Sequence, residues 1–241
     1  MDNNKILGVI GGMGPLASKV FYEMVIENTK ASSDQDHLDL FMYSHASLPD
    51  RTKCIEDGTV DEFKKLIIED CNKLISIGAS CIAITCNTAH VVADEVQNNI
   101  NVPIINMIGE TAKYISKIAP NKKVAILGTD GTIAINLYQK ELKKMGIEPY
   151  VPSDKTQKLV MKIVYDYIKA GKEVDYTDFQ KIEDELIKEK CSRAILACTE
   201  LSVFKESNNL SDYYVDAMMI LAKKSIIECG KQVKNSNDEC I

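Results

Sequence analysis

Apolar positions along this chain follow two alternating rhythms. Short β-branched runs at residues 6–10, 37–43 and 80–84 each precede a longer stretch with helical apolar spacing, from Pro15, across 60–77 and from Ala89. The alternation resumes after Pro103 with a run at 104–106, a helix to Ala119 that Pro120 stops, a run at 124–127 and a helix through Met145 that Gly146 ends. Residues 148–151 read as a strand, 156–169 and 176–190 as helices with polar faces, 193–197 as a strand and 217–231 as the last helix. The polar tail from Lys234 is expected to fray. Strands and helices in this order predict an α/β fold, with parallel sheets covered by helices on both faces.

The two halves echo one another. Lys5-Ile-Leu-Gly-Val-Ile-Gly-Gly12 is a near copy of Lys123-Val-Ala-Ile-Leu-Gly-Thr129, and each leads into a helix with aromatic residues, Phe21 and Tyr22 in one and Tyr138 in the other. Ser80-Cys-Ile-Ala-Ile-Thr-Cys86 likewise matches Ser192-Arg-Ala-Ile-Leu-Ala-Cys198. An internal duplication is the simplest cause. It predicts two similar domains, each a parallel sheet flanked by helices, related by a pseudo-twofold axis: residues 1–103 plus 208–241 carrying Cys86, and residues 104–207 carrying Cys198. The carboxyl ends of their strands then face each other across a crevice, where ligands settle in open α/β sheets.

Length and charge narrow the function. With 241 residues, 45% of them hydrophobic, the chain can bury a core without disulfides or structural metal. Its net charge of −6 and the lack of a Lys/Arg cluster argue against nucleic acid or an anionic membrane as partner, which leaves small molecules. No apolar run is long enough to cross a bilayer and none resembles a signal peptide, so the protein is expected in the cytoplasm. The eight cysteines, at 54, 71, 81, 86, 191, 198, 229 and 240, include no C-x-x-C pair, which excludes zinc-ribbon and thioredoxin readings. Most are expected to pack as small hydrophobes.

Cys86 and Cys198 stand apart because each ends an apolar strand just before a helix, Cys86 ahead of Asn87-Thr-Ala-His90 and Cys198 ahead of Thr199-Glu-Leu201. A helix N-terminus lowers a thiol pKa below its usual value of about 8.5, so both are expected to be reactive. Two equivalent acid–base groups on opposite sides of one carbon suit inversion of a stereocentre, one removing a proton while the other delivers one. His90 either orients Cys86 or faces solvent. The loop Gly11-Gly-Met-Gly-Pro15 formally fits the dinucleotide fingerprint, yet the second strand ends in Tyr43-Ser-His45 without the acidic residue that would hold a ribose. Close backbone approach to a carboxylate is the better use of those glycines. Arg51 is either a two-pronged carboxylate binder or a surface partner of Asp50, and Lys169 either projects to the crevice or simply complements a helix end.

Taken together, Gly11-Gly-Met-Gly-Pro15, Pro49-Asp-Arg-Thr52, Thr85-Cys-Asn-Thr-Ala-His90, Val124-Ala-Ile-Leu-Gly-Thr129 and Ala197-Cys-Thr-Glu-Leu201 resemble the cofactor-independent aspartate/glutamate racemases over nearly the whole length. The aspartate racemase branch is the nearest, although residues 44–48, Ser-His-Ala-Ser-Leu, replace the Asn-Pro-containing stretch more usual there. The resemblance implies a homodimer that racemises a small amino acid, most readily one with an acidic side chain, without pyridoxal phosphate or any other cofactor or metal. It implies that Cys86 and Cys198 are the acid–base pair. Met13, Asn87, Thr88 and Thr199 would contact the α-carboxylate and amino group, Arg51 the side-chain carboxylate, with Lys169 assisting. Two alternatives stay open: a single-cysteine isomerase or decarboxylase of small dicarboxylic acids, and a non-catalytic binder of an acidic metabolite.

Overall fold

Five consecutive residues, Leu7–Gly11, form the first strand, β1, and all five are buried because both faces of their sheet are covered. The computed structural model describes residues 5–234, so Cys240 and nearly all of the polar tail lie outside the described residues. After β1 come α1 (Pro15–Asn28), β2 (Leu40–Ser44), α2 (Arg51–Glu56), α3 (Val60–Ser76), β3 (Cys81–Ile84), α4 (Ala93–Gln97) and α5 (Met107–Ile118). The second half continues with β4 (Lys123–Gly128), α6 (Asp130–Ala134), α7 (Leu137–Lys144), β5 (Glu148–Tyr150), α8 (Asp154–Lys162) and α9 (Tyr176–Lys188). It closes with β6 (Arg193–Ala197), α10 (Thr199–Asn208), β7 (Tyr214–Asp216) and α11 (Ala217–Glu228). Among the described residues no helix is long and apolar enough to cross a membrane.

There are two parallel sheets among the described residues, ordered β2-β1-β3 and β5-β4-β6-β7. In each, the opening strand lies between the next two, so the repeat seen in sequence is also a repeat of topology. Alternation along the strands divides the core. Leu7, Val9, Cys81 and Ala83 from the first sheet and Val124, Ile126, Ile195 and Ala197 from the second share one apolar core with α1, α5, α7 and α11. Ile10, Ile82 and Ile84 point the other way, onto Phe63, Ile67, Cys71 and Leu74 of α3, which recur at helical spacing. Ala125, Leu127, Ala194 and Leu196 pack on α8, α9 and α10.

Several local expectations are corrected. In place of a long helix from Ala89, a 3₁₀ turn (Thr88–Val92) leads into the five-residue α4. The helix running to Met145 is split where Asn136 adopts a left-handed conformation (φ 56°), which Asn tolerates. The run at 104–106 supplies a single bridge, Ile104 to Ile82. Helix α8 continues as a π turn over Ile163–Ile168. Strand β7 falls within the span 208–241 expected to join the first domain, yet it pairs with β6. The chain leaves the second sheet at Asp216, whose carboxylate caps α11 through the Met218 and Met219 N–H groups.

Candidate active site

Loops at the carboxyl ends of the two sheets meet. Gly12 has φ +88°, and a Cβ there would come within 2.5 Å of the His45 carbonyl carbon, so only glycine lets the loops after β1 and β2 pack so closely. A Cβ on Gly14 would approach the Glu200 carboxylate to 3.0 Å, so this loop also abuts α10 of the other half. The seam is otherwise polar: Thr88 Oγ1 lies 2.7 Å from Thr132 Oγ1 and 3.1 Å from Thr129 Oγ1, Thr52 donates to Thr129, and Thr199 donates to the Thr85 carbonyl. A cleft of about 320 Å³ opens beside it, lined by Met13, Leu48, Asp50, Arg51, Lys169 and Glu200 among others.

Cys86 follows β3, and Cys198 is the N-cap of α10; each is buried, 7% exposed. Arg51, the first residue of α2, donates to the Pro49 carbonyl at 2.8 Å, and its charge interacts with the Cys86 thiol. Burial opposes the Arg51 charge, but Cys86, Asp50 and Glu200 outweigh it and raise its pKa. Cys198 Sγ donates to Glu200 Oε2 at 2.9 Å. Because Arg51 also feels Glu200, one electrostatic network spans both thiols.

The expectation that a helix dipole would lower both thiol pKa values is corrected at Cys198. Burial, followed by the charge and hydrogen bond of Glu200, pushes that thiol well above its ordinary value, against the smaller opposing effects of Lys169 and the Glu200 N–H. The cysteine in the first half lacks a substantial helix behind it, since only the 3₁₀ turn follows; its positive neighbour is Arg51 instead.

Lys169 extends the positive side of the cleft. Its Nζ lies 3.6 Å from the Asp50 carboxylate and 4.1 Å from the centre of the Tyr165 ring, and the π turn just before it sets its direction. Burial again opposes the charge, and Glu200, Tyr165, Cys198 and Asp50 together raise its pKa. Asn87 uses its Oδ1 to accept from Tyr138 at 2.6 Å. Its Nδ2, with Arg51 Nε and Glu200 Oε1, is buried without a protein partner. These are two donors and one acceptor, and leaving such atoms unmatched costs roughly 1–3 kcal/mol each.

The family model described as Asp/Glu/Hydantoin racemase matches residues 10–224. The chain belongs to this racemase family. As an enzyme it is therefore an isomerase. The racemase is 32% identical over 229 residues to the broad specificity amino-acid racemase RacX of Bacillus subtilis (strain 168), covering 92% of this chain and 96% of that one. It superposes on the Picrophilus torridus aspartate racemase with a TM-score of 0.81 at 29% identity, over 98% of both chains. An aspartate racemase homologue from Pyrococcus horikoshii OT3 gives 0.75 at 28% identity, over 94% of this chain and 99% of that one.

Of the residues singled out in sequence, Met13, Arg51 and Lys169 line the cleft, whereas Cys86, Cys198, Asn87, Thr88 and Thr199 are buried and form no part of its wall. The Asn87 amide nitrogen is buried without a protein partner, and the Thr88 and Thr199 hydroxyls are spent on the seam. Asp50 and Tyr165 are not site candidates in the sequence, whereas Glu200 stands there only as a group available at the start of the helix after Cys198. Glu200 had a usable signal, an acid two positions after Cys198 in the first turn of a helix, where its side chain can turn back to the cap.

His90 is a brace. Its Nδ1 donates to the Cys86 carbonyl at 2.9 Å, and its Nε2 accepts the Met107 N–H at 3.2 Å, which fixes the neutral tautomer and ties the Cys86 turn to α5. Burial lowers its pKa below 6.5. The unfolded chain therefore binds this proton first, so the stabilisation is complete above about pH 6.5 and declines as pH falls toward the depressed native value. His90→Ala is expected to lose on the order of 3 kcal/mol in urea unfolding, because two buried backbone groups lose their partner. It should also flatten the loss of stability between neutral and mildly acidic pH. Unchanged stability and slope would remove the brace from this account.

Proposed function

We propose that this racemase interconverts the enantiomers of an acidic α-amino acid, aspartate foremost, by two-base proton transfer between Cys86 and Cys198 without pyridoxal phosphate. The observation that carries this reading is one network with two thiols in opposite company, Arg51 at Cys86 and Glu200 at Cys198. The unpartnered atoms complement an amino acid: Asn87 Nδ2 suits the α-carboxylate, Glu200 Oε1 the ammonium, and Arg51 Nε the distal carboxylate, with Lys169 beside it. Met13 and the N–H groups of Thr88 and Thr199 complete the cradle around the α-carbon.

In this scheme the resting proton sits on Cys198, where Glu200 disfavours an anion. The Cys86 sulfur, next to a guanidinium, takes the α-proton, and Cys198 delivers its own to the opposite face of the planar carbanion. The reverse direction exchanges the roles. General acid–base catalysis of this kind supplies about 10²–10⁴-fold per group.

Pure protein incubated with L-aspartate in deuterium oxide should exchange the α-hydrogen and lose optical rotation with no added cofactor. Absence of exchange with aspartate, glutamate and every other amino acid tried overturns the proposal. A broader substrate range is the second reading. It is favoured by the similarity to RacX and by Asp50, whose carboxylate near Lys169 offsets part of the cleft's positive charge. Comparable kcat/KM for acidic and neutral amino acids would select it.

A further inference from the structure

Cys81 begins β3, and Cys229 follows the last turn of α11, 148 positions later in the chain, yet their sulfurs lie 3.7 Å apart. Both are free thiols. The reaction has no use for them, since Cys81 is at the far end of β3 from the cleft and faces the shared core. Packing alone explains one buried cysteine, but it does not require two in sulfur–sulfur contact.

Cys81 is wholly buried, and only Cys229 has any exposed surface. Cys229 is 6% exposed, and an ion pair between Lys5 and Glu228 (3.0 Å), both half-exposed, lies close enough for the Lys5 charge to act on both sulfurs. The hydrogen bond from Cys229 outweighs burial and lowers the Cys81 pKa, while the same bond holds the proton on Cys229. Sulfur–sulfur contact lets either thiol, once oxidised, be resolved by its neighbour.

We propose that Cys81 and Cys229 form a disulfide-forming modification site, separate from the catalytic thiols, which hydrogen peroxide closes and a dithiol reopens. One of the two sulfurs attacks a peroxide oxygen, the O–O bond breaks, and a sulfenic acid and one water result. The other sulfur then displaces the hydroxyl group, which leaves as a second water with the released proton. Two thiols and one peroxide become one disulfide and two waters, and the two electrons lost by sulfur reduce the peroxide. Closure draws the sulfurs from 3.7 Å to about 2 Å. The chain just beyond Cys229 can yield, because Gly230 (φ +77°) has no neighbour within 4 Å of its Cβ position.

The test uses the full chain carrying Cys86→Ser, Cys198→Ser and Cys240→Ser, treated with hydrogen peroxide under native conditions and quenched by alkylation. Peptide mass mapping is expected to recover residues 81 and 229 in one cross-linked species lighter by two hydrogens, reversed by dithiothreitol. Because the bridge closes a long loop, the oxidised form should unfold at a temperature higher by on the order of 10 °C than the reduced form. Adding Cys229→Ala, at a helix end where truncation is tolerated, should abolish both effects. Recovery of Cys81 and Cys229 as separate alkylated or over-oxidised peptides would overturn the proposal. A bridge that forms only in denaturant, or one that lowers the unfolding temperature, would do so as well.

Discussion

Cys198→Ser and Cys86→Ser are each expected to lower kcat/KM for aspartate racemisation by about 10²–10⁴-fold, the range lost when one positioned acid–base group is removed. Serine keeps the shape of the side chain but holds its proton far too tightly to replace a thiolate. The two losses should differ in kind. A chain with one sulfur can still exchange the α-hydrogen of the enantiomer whose C–H bond faces that sulfur, without inverting it. In deuterium oxide each variant should therefore wash deuterium into one enantiomer, and the two variants should choose opposite ones. If either variant racemises in both directions at the parent rate, the two-base scheme fails.

Glu200→Gln addresses the asymmetry between the thiols. The Glu200 carboxylate raises the Cys198 pKa by its charge and by accepting the S–H. Glutamine accepts a hydrogen bond but carries no charge, so the Cys198 pKa falls in the variant. The alkaline limb of the kcat/KM profile is then expected to move to lower pH, with activity reduced by about 10–100-fold near neutrality as the acid is lost and the ammonium loses its counter-charge. A simple structural defect would lower the whole profile and leave its limbs in place. Glu200→Asp, which keeps the charge on a shorter arm, should restore the position of the limb even where it fails to restore the rate.

Much of this fold was legible because its central strands are buried on both faces and so read as unbroken apolar runs, as at Leu7–Gly11 and from Ala194 to Ala197. The doubled topology was legible because the runs themselves are duplicated. What escaped was set by a few residues or by contacts distant in sequence. Three-residue β7 is too short to show a period, and the break at Asn136 depends on one left-handed residue inside an otherwise helical pattern. In the site, Cys86, Cys198, Arg51 and Lys169 stand in recognisable contexts. The pairing of Cys86 with Arg51 is a matter of distance across loops, and the dipole argument misjudged Cys198 because burial and a carboxylate two positions on outweigh a helix terminus. The unpartnered amide of Asn87 is equally invisible until Tyr138, from the other half, is seen to occupy its oxygen.

The hydroxyl groups of Thr52, Thr88, Thr129 and Thr132 join the halves where the strands end, whereas behind them the sheets share an apolar core. Water can replace hydroxyl partners at little net cost, but it cannot replace apolar packing. The cheapest large motion of this molecule is thus a jaw that opens at its wet front and pivots on its dry back. Such a jaw would open the front of the seam to small molecules while the shared core holds the two halves in register.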